Sequence, residues 1–382
     1  MDNFKESVFK QMLQVKRERI AAGHDVFDFS VGSPNVPPAP HIIKTLLESA
    51  ANPENYVYSL TDLPELRRAA ATWYKNRFDV SLDPQTQITS LLGSQEGLSH
   101  IALAFADDGD TILVPDPCYP VFSDGPLIAG ASPYYMPMRP ENDWIIDFRD
   151  IPAKAAKDAR LMIVSYPNNP TTAIAPPQFY RDLIAFAKEY DIIVLHDNAY
   201  SDLVFDGVRV GSFLNYEGAT DIGIEFNSLS KTYGIAGARV GFCLGNAEVV
   251  DVVKKLKSNM DYGIFLPVQH ASITAITGDQ TCVTGTCMAY QTRRDAICGG
   301  LNSIGWNVGH CPATMFLWAP IPDKYGSSME FVLDLVEQTG VITTPGEAFG
   351  PSGDRFVRIA FVQDVDTINR AVRSIKESGI LN

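Results

Sequence analysis

Residues 161–171 read Leu-Met-Ile-Val-Ser-Tyr-Pro-Asn-Asn-Pro-Thr. The first five form a short apolar run that passes at once into polar and turn-forming residues, as a parallel strand buried on both faces does where it ends in a loop. Two further runs behave the same way. Residues 192–195 (IIVL) lead into His196-Asp197-Asn198-Ala199-Tyr200, and residues 222–226 (IGIEF) lead into Asn227-Ser228. Between the first two runs, 178–190 (QFYRDLIAFAKEY) repeats its apolar positions at helical spacing. Strands alternating with helices predict an α/β sandwich around a mostly parallel sheet.

Open α/β sheets bind ligands at the carboxyl ends of their strands. Asn169, Asp197 and Tyr200 are expected at that rim. Each has an ordinary alternative, since Asn-Pro makes a good turn and an Asp after a strand often caps a helix. Three such rims coinciding is what the alternatives leave unexplained.

The segment most informative about chemistry is 227–242, Asn-Ser-Leu-Ser-Lys-Thr-Tyr-Gly-Ile-Ala-Gly-Ala-Arg-Val-Gly-Phe. Ser228 and Ser230 flank Lys231, and Arg239 follows eight residues after it. Such a loop can hold a phosphate while presenting an amine to an aldehyde on the same ligand; in isolation it could equally be a glycine-rich turn with a solvated lysine. Upstream, Gly93-Ser94-Gln95-Glu96-Gly97 opens a helical pattern through 98–106, whose first N–H groups suit an anion. Tyr119, in the proline-stiffened 115–122 (PDPCYPVF), could stack on a flat ring or plug the core.

Composition narrows the class. The chain has 382 residues and a formal net charge of −14, so a phosphate backbone would be repelled and nucleic acid is not an expected partner. No stretch approaches the roughly 20 apolar residues of a membrane span. The start, Met1-Asp2-Asn3-Phe4-Lys5-Glu6, lacks the basic and apolar pattern of a signal peptide, which predicts a cytoplasmic protein. The six cysteines, Cys118, Cys243, Cys282, Cys287, Cys298 and Cys311, form no CxxC pair; neither zinc nor a disulfide framework is expected, and most should be buried thiols. No metal site is predicted.

Gly32, Pro34, Pro37, Pro38 and Pro40 crowd residues 28–40, which should be an irregular arm or loop. Beyond about residue 280 the pattern changes to long helices and short strands at 314–319 and 355–361. The expected organisation is an N-terminal arm with part of a small domain (1–45), a large domain (46–280) and a small C-terminal domain (281–382).

With these motifs in this order, the chain resembles the class I/II aminotransferases of pyridoxal-phosphate (PLP) fold type I, including the aspartate and LL-diaminopimelate aminotransferases. The resemblance covers nearly the whole chain. It implies a three-layer α/β/α large domain with a mixed, mostly parallel sheet and a smaller α+β C-terminal domain. It makes Lys231 the residue that carries PLP as a Schiff base, and Ser94, Gln95, Ser228, Ser230 and Arg239 phosphate ligands. Asn169 and Tyr200 would meet the pyridine O3′, Asp197 the ring nitrogen, and Tyr119 the ring face. Gly32 would lie in the strip that closes over the substrate, and Arg358, in Asp-Arg-Phe-Val-Arg-Ile-Ala at 354–360, would bind the substrate α-carboxylate. The implied reaction moves an amino group from an L-amino acid to a 2-oxo acid, ping-pong through pyridoxamine phosphate, in a homodimer with shared sites. A PLP-dependent C–S β-lyase on the same fold is the alternative. A nucleotide-binding dehydrogenase or ATPase is disfavoured, because neither GxGxxG after a strand nor GxxxxGK[ST] occurs.

Two departures from the family pattern stand out. Thr172 occupies the place of the glycine in Asn-Pro-Thr-Gly, which should alter the local loop slightly. The stretch Tyr56-Val-Tyr58-Ser-Leu-Thr-Asp62-Leu-Pro64-Glu-Leu-Arg67 is also changed, so Tyr58 is expected to reach the neighbouring phosphate with Tyr56 the alternative. For Arg358 the ordinary reading is a surface arginine with Asp354 or Arg355 as its neighbour. Alternation along 355–360 puts Arg358 with Phe356 and Ala360 on a partly apolar face, which predicts a sheltered guanidinium.

Overall fold

The computed structural model describes residues 8–382; the reading of Met1–Glu6 lies outside the described residues. Twelve strands occur among them, beginning with β1 (Phe27–Asp28). Next come β2 (Ile88–Leu91), β3 (Thr111–Asp116), β4 (Ser132–Pro137), β5 (Ala159–Ser165), β6 (Ile193–Asp197), β7 (Gly223–Ser228) and β8 (Gly241–Gly245). These seven form one sheet in the order β2-β8-β7-β6-β5-β3-β4. Only β8 runs against its neighbours, β2 and β7; the remaining pairs are parallel. The carboxyl ends of β2, β3, β5, β6 and β7 therefore share one edge, and β8 begins there.

The apolar runs are continuous because both sheet faces are covered. Leu161 and Ile163 of β5 pack with Val114, Leu195 and Phe226 on one face, while Met162 and Val164 pack with Leu113, Val194 and Phe242 on the other. Burying a side chain of this size stabilises by about 1.5–3 kcal/mol, so a polar residue at any of these positions would be strongly disfavoured. The helix Pro177–Tyr190 buries Phe179, Tyr180, Leu183, Ile184 and Ala187 on a single stripe and stops at Asp191, whose left-handed backbone (φ 56°) donates its N–H to Ala187.

Two expectations need correcting here. The strand expected over 192–195 continues through Asp197, so that residue is the last of the strand rather than part of the loop beyond it. The helical pattern through 98–106 is broken at Ile101 into Ser94–His100 and Ala102–Phe105. The first piece lies hard against β7: a Cβ at Gly97 would stand 2.4 Å from the Phe226 ring.

The remaining strands are β9 (Phe316–Pro320), β10 (Val341–Ile342), β11 (Thr344–Pro345) and β12 (Phe356–Ala360). β11, β12 and β9 form a small antiparallel sheet in that order. β1 pairs in parallel with β10, and Phe27 and Phe29 share a core with Leu335, Ile342 and Ile368. The N-terminal segment is thereby stitched into the C-terminal region. The 28–40 stretch is irregular beyond Asp28, and the helix Pro40–Ala50 starts on its proline, where a missing N–H is harmless.

All six cysteines are free, but only Cys118, Cys243 and Cys311 are buried. The other three lie on the helix Thr281–Ser303 and are half-buried, so the expectation that most are buried fails for that helix. No helix among the described residues is long and apolar enough to cross a membrane.

Candidate active site

The shared strand edge opens into a cavity of about 290 Å3. Ser94, Gln95, Tyr119, Asn169, Asp197, Tyr200, Ser228, Ser230, Lys231, Arg239, Gly32 and Arg358 all line it. Topology explains the gathering: β5 delivers Asn169, β6 delivers Asp197 and Tyr200, and β7 runs directly into the serines and Lys231.

One corner is built for an anion. Leu91 of β2 pairs with Gly241 of β8, which brings the turn after β2 beside the segment before β8. Gly93 adopts φ 78°, and a Cβ there would stand 2.5 Å from the Arg239 guanidinium. Glycine is needed at 93 twice over, for its backbone and for the room it leaves the arginine. Arg239 is anchored by the carbonyls of Leu92 and Ala236, each at 3.3 Å. Ser228 caps the short helix Leu229–Thr232, accepting the Ser230 N–H at 3.2 Å.

Asp197, which also lines the cavity, is 7% exposed. It accepts the Ala199 N–H at 3.2 Å, and no side chain among the described residues donates to it. Burial pushes its carboxyl up to about 6, offset in part by nearby His196 and Lys231. A carboxylate enclosed this way calls for a cationic N–H partner from a ligand. Lys231 is pulled down to about 8, first by desolvation and further by Arg239 and Arg358, with Asp197 opposing. At pH 7 about a tenth of it is therefore the neutral, nucleophilic amine, far more than for an ordinary lysine.

Behind the rim, a polar cluster holds β6 and β7 in register. Tyr74 (2.8 Å), His196 (2.9 Å), Asn198 (3.1 Å), Ser212 (3.0 Å) and the Phe213 N–H (2.9 Å) surround the fully buried Glu225 carboxylate. His196 faces this cluster while Asp197, the next residue along the strand, faces the cavity.

Arg358 is 3% exposed. Its Nη1 donates to Asn169 Oδ1 at 3.0 Å and its Nη2 to the Ser30 carbonyl at 3.1 Å. The guanidinium lies over the rings of Phe316 and Phe349, 4.1 and 4.5 Å from their centroids. Burial lowers it to about 10, which leaves it cationic at neutral pH. Neither suggested neighbour is its partner: Asp354 accepts from Ser328 and Arg355 donates to the Tyr325 carbonyl.

Tyr58 is absent from the cavity wall. It is 84% exposed and meets Tyr262 edge-on at 6.1 Å; Tyr56 donates to the Ala50 carbonyl. Thr172 keeps the left-handed backbone that a glycine would adopt, with φ 67°, so the loop retains its turn at a conformational cost. Residues that the sequence reading missed include Val31, Leu98, Ser165, Ala199 and Phe316. For Phe316 the signal was present in the alternation of 314–319, but its register against Arg358 was not. Glu96, His100 and Asp261 bring ligand-type atoms within 4.8 Å of one another. Lys257 pairs with Glu96 and Asp261 there, at 2.7 and 3.1 Å, which accounts for the cluster without a metal.

The profile of the aminotransferase class I and II family matches residues 24–375. The chain belongs to this family. Among similar proteins, an LL-diaminopimelate aminotransferase of Dehalococcoides mccartyi is 39% identical over 98% of this chain and 97% of its own length. The glutamate-pyruvate aminotransferase AlaC of Escherichia coli is also 39% identical, over 98% and 92%. A solved structure described as a probable N-succinyldiaminopimelate aminotransferase from Thermus thermophilus superposes with a TM-score of 0.92 at 33% identity, covering 97% of this chain and all of that one.

The chain is thus a PLP-dependent aminotransferase of fold type I. The cavity fits that cofactor in three respects: an anion corner cleared by Gly93, an amine at Lys231, and at Asp197 a buried carboxylate that takes no side-chain donor among the described residues. When bound, PLP supplies an electron sink that makes the substrate Cα–H acidic.

Proposed function

We propose that this enzyme takes the amino group of LL-diaminopimelate and delivers it to a 2-oxo acid in a ping-pong cycle. The observation that carries the reading is the 39% identity across nearly the full length of an LL-diaminopimelate aminotransferase. Glutamate–pyruvate exchange is the second reading, favoured by the equally similar E. coli enzyme.

Within that reaction, Lys231 would hold the cofactor through its amine and would move the Cα proton from its place beside the reacting carbon. Asp197 would keep the pyridine nitrogen protonated, in keeping with its enclosure and the lack of another side-chain donor among the described residues. Asn169 and Tyr200 serve O3′, Tyr119 the ring face, and Ser94, Gln95, Ser228, Ser230 and Arg239 the phosphate. Arg358 binds the α-carboxylate through its planar fork, beneath the strip that contains Gly32.

A homodimer completes the site. Tyr56, Val57, Tyr58 and Leu60 are each more than 60% exposed, and Tyr262 and Phe265 lie against two of them. Such an apolar patch suits a second copy, with Tyr58 carried to the neighbouring phosphate. The unpaired cysteines accord with a cytoplasmic location.

The experiment is a donor panel. Holoenzyme is mixed separately with LL-diaminopimelate, glutamate, alanine and aspartate, and conversion of the cofactor to its amino form is followed by absorbance. Efficient conversion by LL-diaminopimelate supports the first reading. Conversion by glutamate and alanine but not by LL-diaminopimelate selects the second, and no conversion by any amino acid rejects both.

A further inference from the structure

Two contacts reach Arg358 from the three-residue strip Ser30–Gly32. One is direct: the Ser30 carbonyl accepts from Nη2 at 3.1 Å, along the edge of the guanidinium. The other passes through the ring of Phe316, over which the guanidinium carbon sits at 4.1 Å. Phe316 is 2% exposed, forms part of the cavity wall, and meets the Tyr200 ring edge-on at 5.8 Å.

Gly32 is pressed against the far end of that ring. A Cβ at position 32 would stand 2.3 Å from Phe316 Cε1 and 2.4 Å from Cζ, closer than real contacts allow. Gly32 is not among the glycines with positive φ, so its backbone alone would admit other residues. What excludes them is the ring. In β9 and β12, Trp318 pairs with Arg358 and Phe316 with Ala360, so Phe316 and Arg358 are diagonal neighbours on one face of the small sheet.

We infer that Phe316 is a positioning residue for substrate carboxylate binding: its ring sets the plane of the Arg358 fork and transmits to it the seating of the strip at Gly32. This rests on the reading of Arg358 as the α-carboxylate ligand. A guanidinium held along its edge can still rock about that edge. The Phe316 ring at 4.1 Å, together with the Phe349 ring at 4.5 Å, removes this freedom and adds a cation–π attraction. The ring thereby fixes the orientation of a guanidinium that lines the cavity, as a bidentate acceptor would require.

The test is a double-mutant cycle with Gly32→Ala and Phe316→Leu, read on KM and kcat for several amino acids. It is also read on the dissociation constant of a non-reacting monocarboxylate, followed by its effect on the cofactor spectrum. Phe316→Leu is expected to raise KM and that dissociation constant about 3- to 30-fold, the range of a cation–π contact, with a smaller change in kcat. Gly32→Ala should do the same in the parent. In the Phe316→Leu background it should cost less than about twofold, because leucine lacks the two ring atoms that the new methyl would strike. PLP affinity and thermal stability of each variant serve as controls that a general packing defect would move. Should Phe316→Leu fail to fold, Phe316→Met replaces it with the same expected outcomes. Equal costs of Gly32→Ala in both backgrounds, or no change in carboxylate binding on losing the ring, overturns the inference. Arg358→Leu separates this failure from that of the underlying reading: if it too leaves carboxylate binding intact, Arg358 is not the ligand at all.

Discussion

Arg358 and Asn169, 189 residues apart in the chain, are joined by a 3.0 Å hydrogen bond from the guanidinium to the amide oxygen. The bond ties the small sheet to the edge of the central one and turns the Asn169 NH2 group away from the arginine. The proposed carboxylate ligand and the proposed O3′ ligand are therefore set as a unit. Asn169→Asp would place an anion against Arg358 in an enclosed site, where it competes with the substrate carboxylate. KM should rise at least tenfold, to judge from the roughly 1.5–3 kcal/mol of a charged hydrogen bond, for every amino acid alike. Unchanged steady-state KM values would count against the pairing.

Removing Arg358 itself should be more severe. Leaving one partner of a desolvated charge pair alone costs about 3–5 kcal/mol, roughly a hundredfold to several thousandfold in kcat/KM. Arg358→Leu should show that loss with all amino acids while the bound-PLP spectrum stays intact, and Arg358→Lys should recover little because an ammonium cannot make two parallel bonds. A loss confined to acidic substrates would reassign the residue to side-chain recognition.

Asp197 yields a stability prediction that needs no turnover. Burial raises its carboxyl from 3.8 to about 6 in the cofactor-free protein. A folded-state value above the unfolded one means that the group's stabilising contribution is complete below about pH 4 and is lost as pH rises through 6. At pH 8 the apo-protein therefore holds an unfavourable buried charge that Asp197→Asn removes. The variant should melt at a higher temperature than the parent at pH 8, with the difference closing towards pH 4, in calorimetry of both apo-proteins. Its holoenzyme should retain cofactor yet lose most turnover. A parent that melts higher at pH 8 would show Asp197 already compensated by the protein.

Lys231, lowered to about 8, should make cofactor capture depend on pH. The neutral amine is the reactive form, so the rate at which apo-enzyme takes up PLP should rise between about pH 7 and 9 and then level. Borohydride treatment followed by peptide mapping should find the phosphopyridoxyl group on Lys231. A label on another lysine would contradict the assignment.

Light scattering should report a dimer, and Tyr58→Phe should weaken PLP binding without changing that mass. A tyrosine that serves only the exposed patch would leave the affinity for PLP untouched.

Much of this site could be read from the chain because parallel strands deliver their ligands in sequence: Asn169, Asp197 and Lys231 each follow closely on an apolar run. Alternation within a single strand could show that Arg358 is sheltered, while its role came from the family resemblance. Phe316 could not be read from the chain, since its role depends on the register of β9 against β12 and on the strip around Gly32 packing over both. The break at Ile101 was hidden for a similar reason, lying in a helix that approaches the Phe226 ring through Gly97. Tyr58 belongs to a surface, and among the described residues a single chain gives it no ring partner but Tyr262.

The central claim is that amino groups are moved and not released, by a cofactor anchored at Lys231. The most direct test mixes holoenzyme with an excess of its amino-acid donor and no 2-oxo acid, then counts products. The account predicts one oxo acid per active site, no ammonia, and a halt until an acceptor is added. Continued turnover without acceptor, with ammonia accumulating alongside the oxo acid, would instead identify a lyase and contradict it.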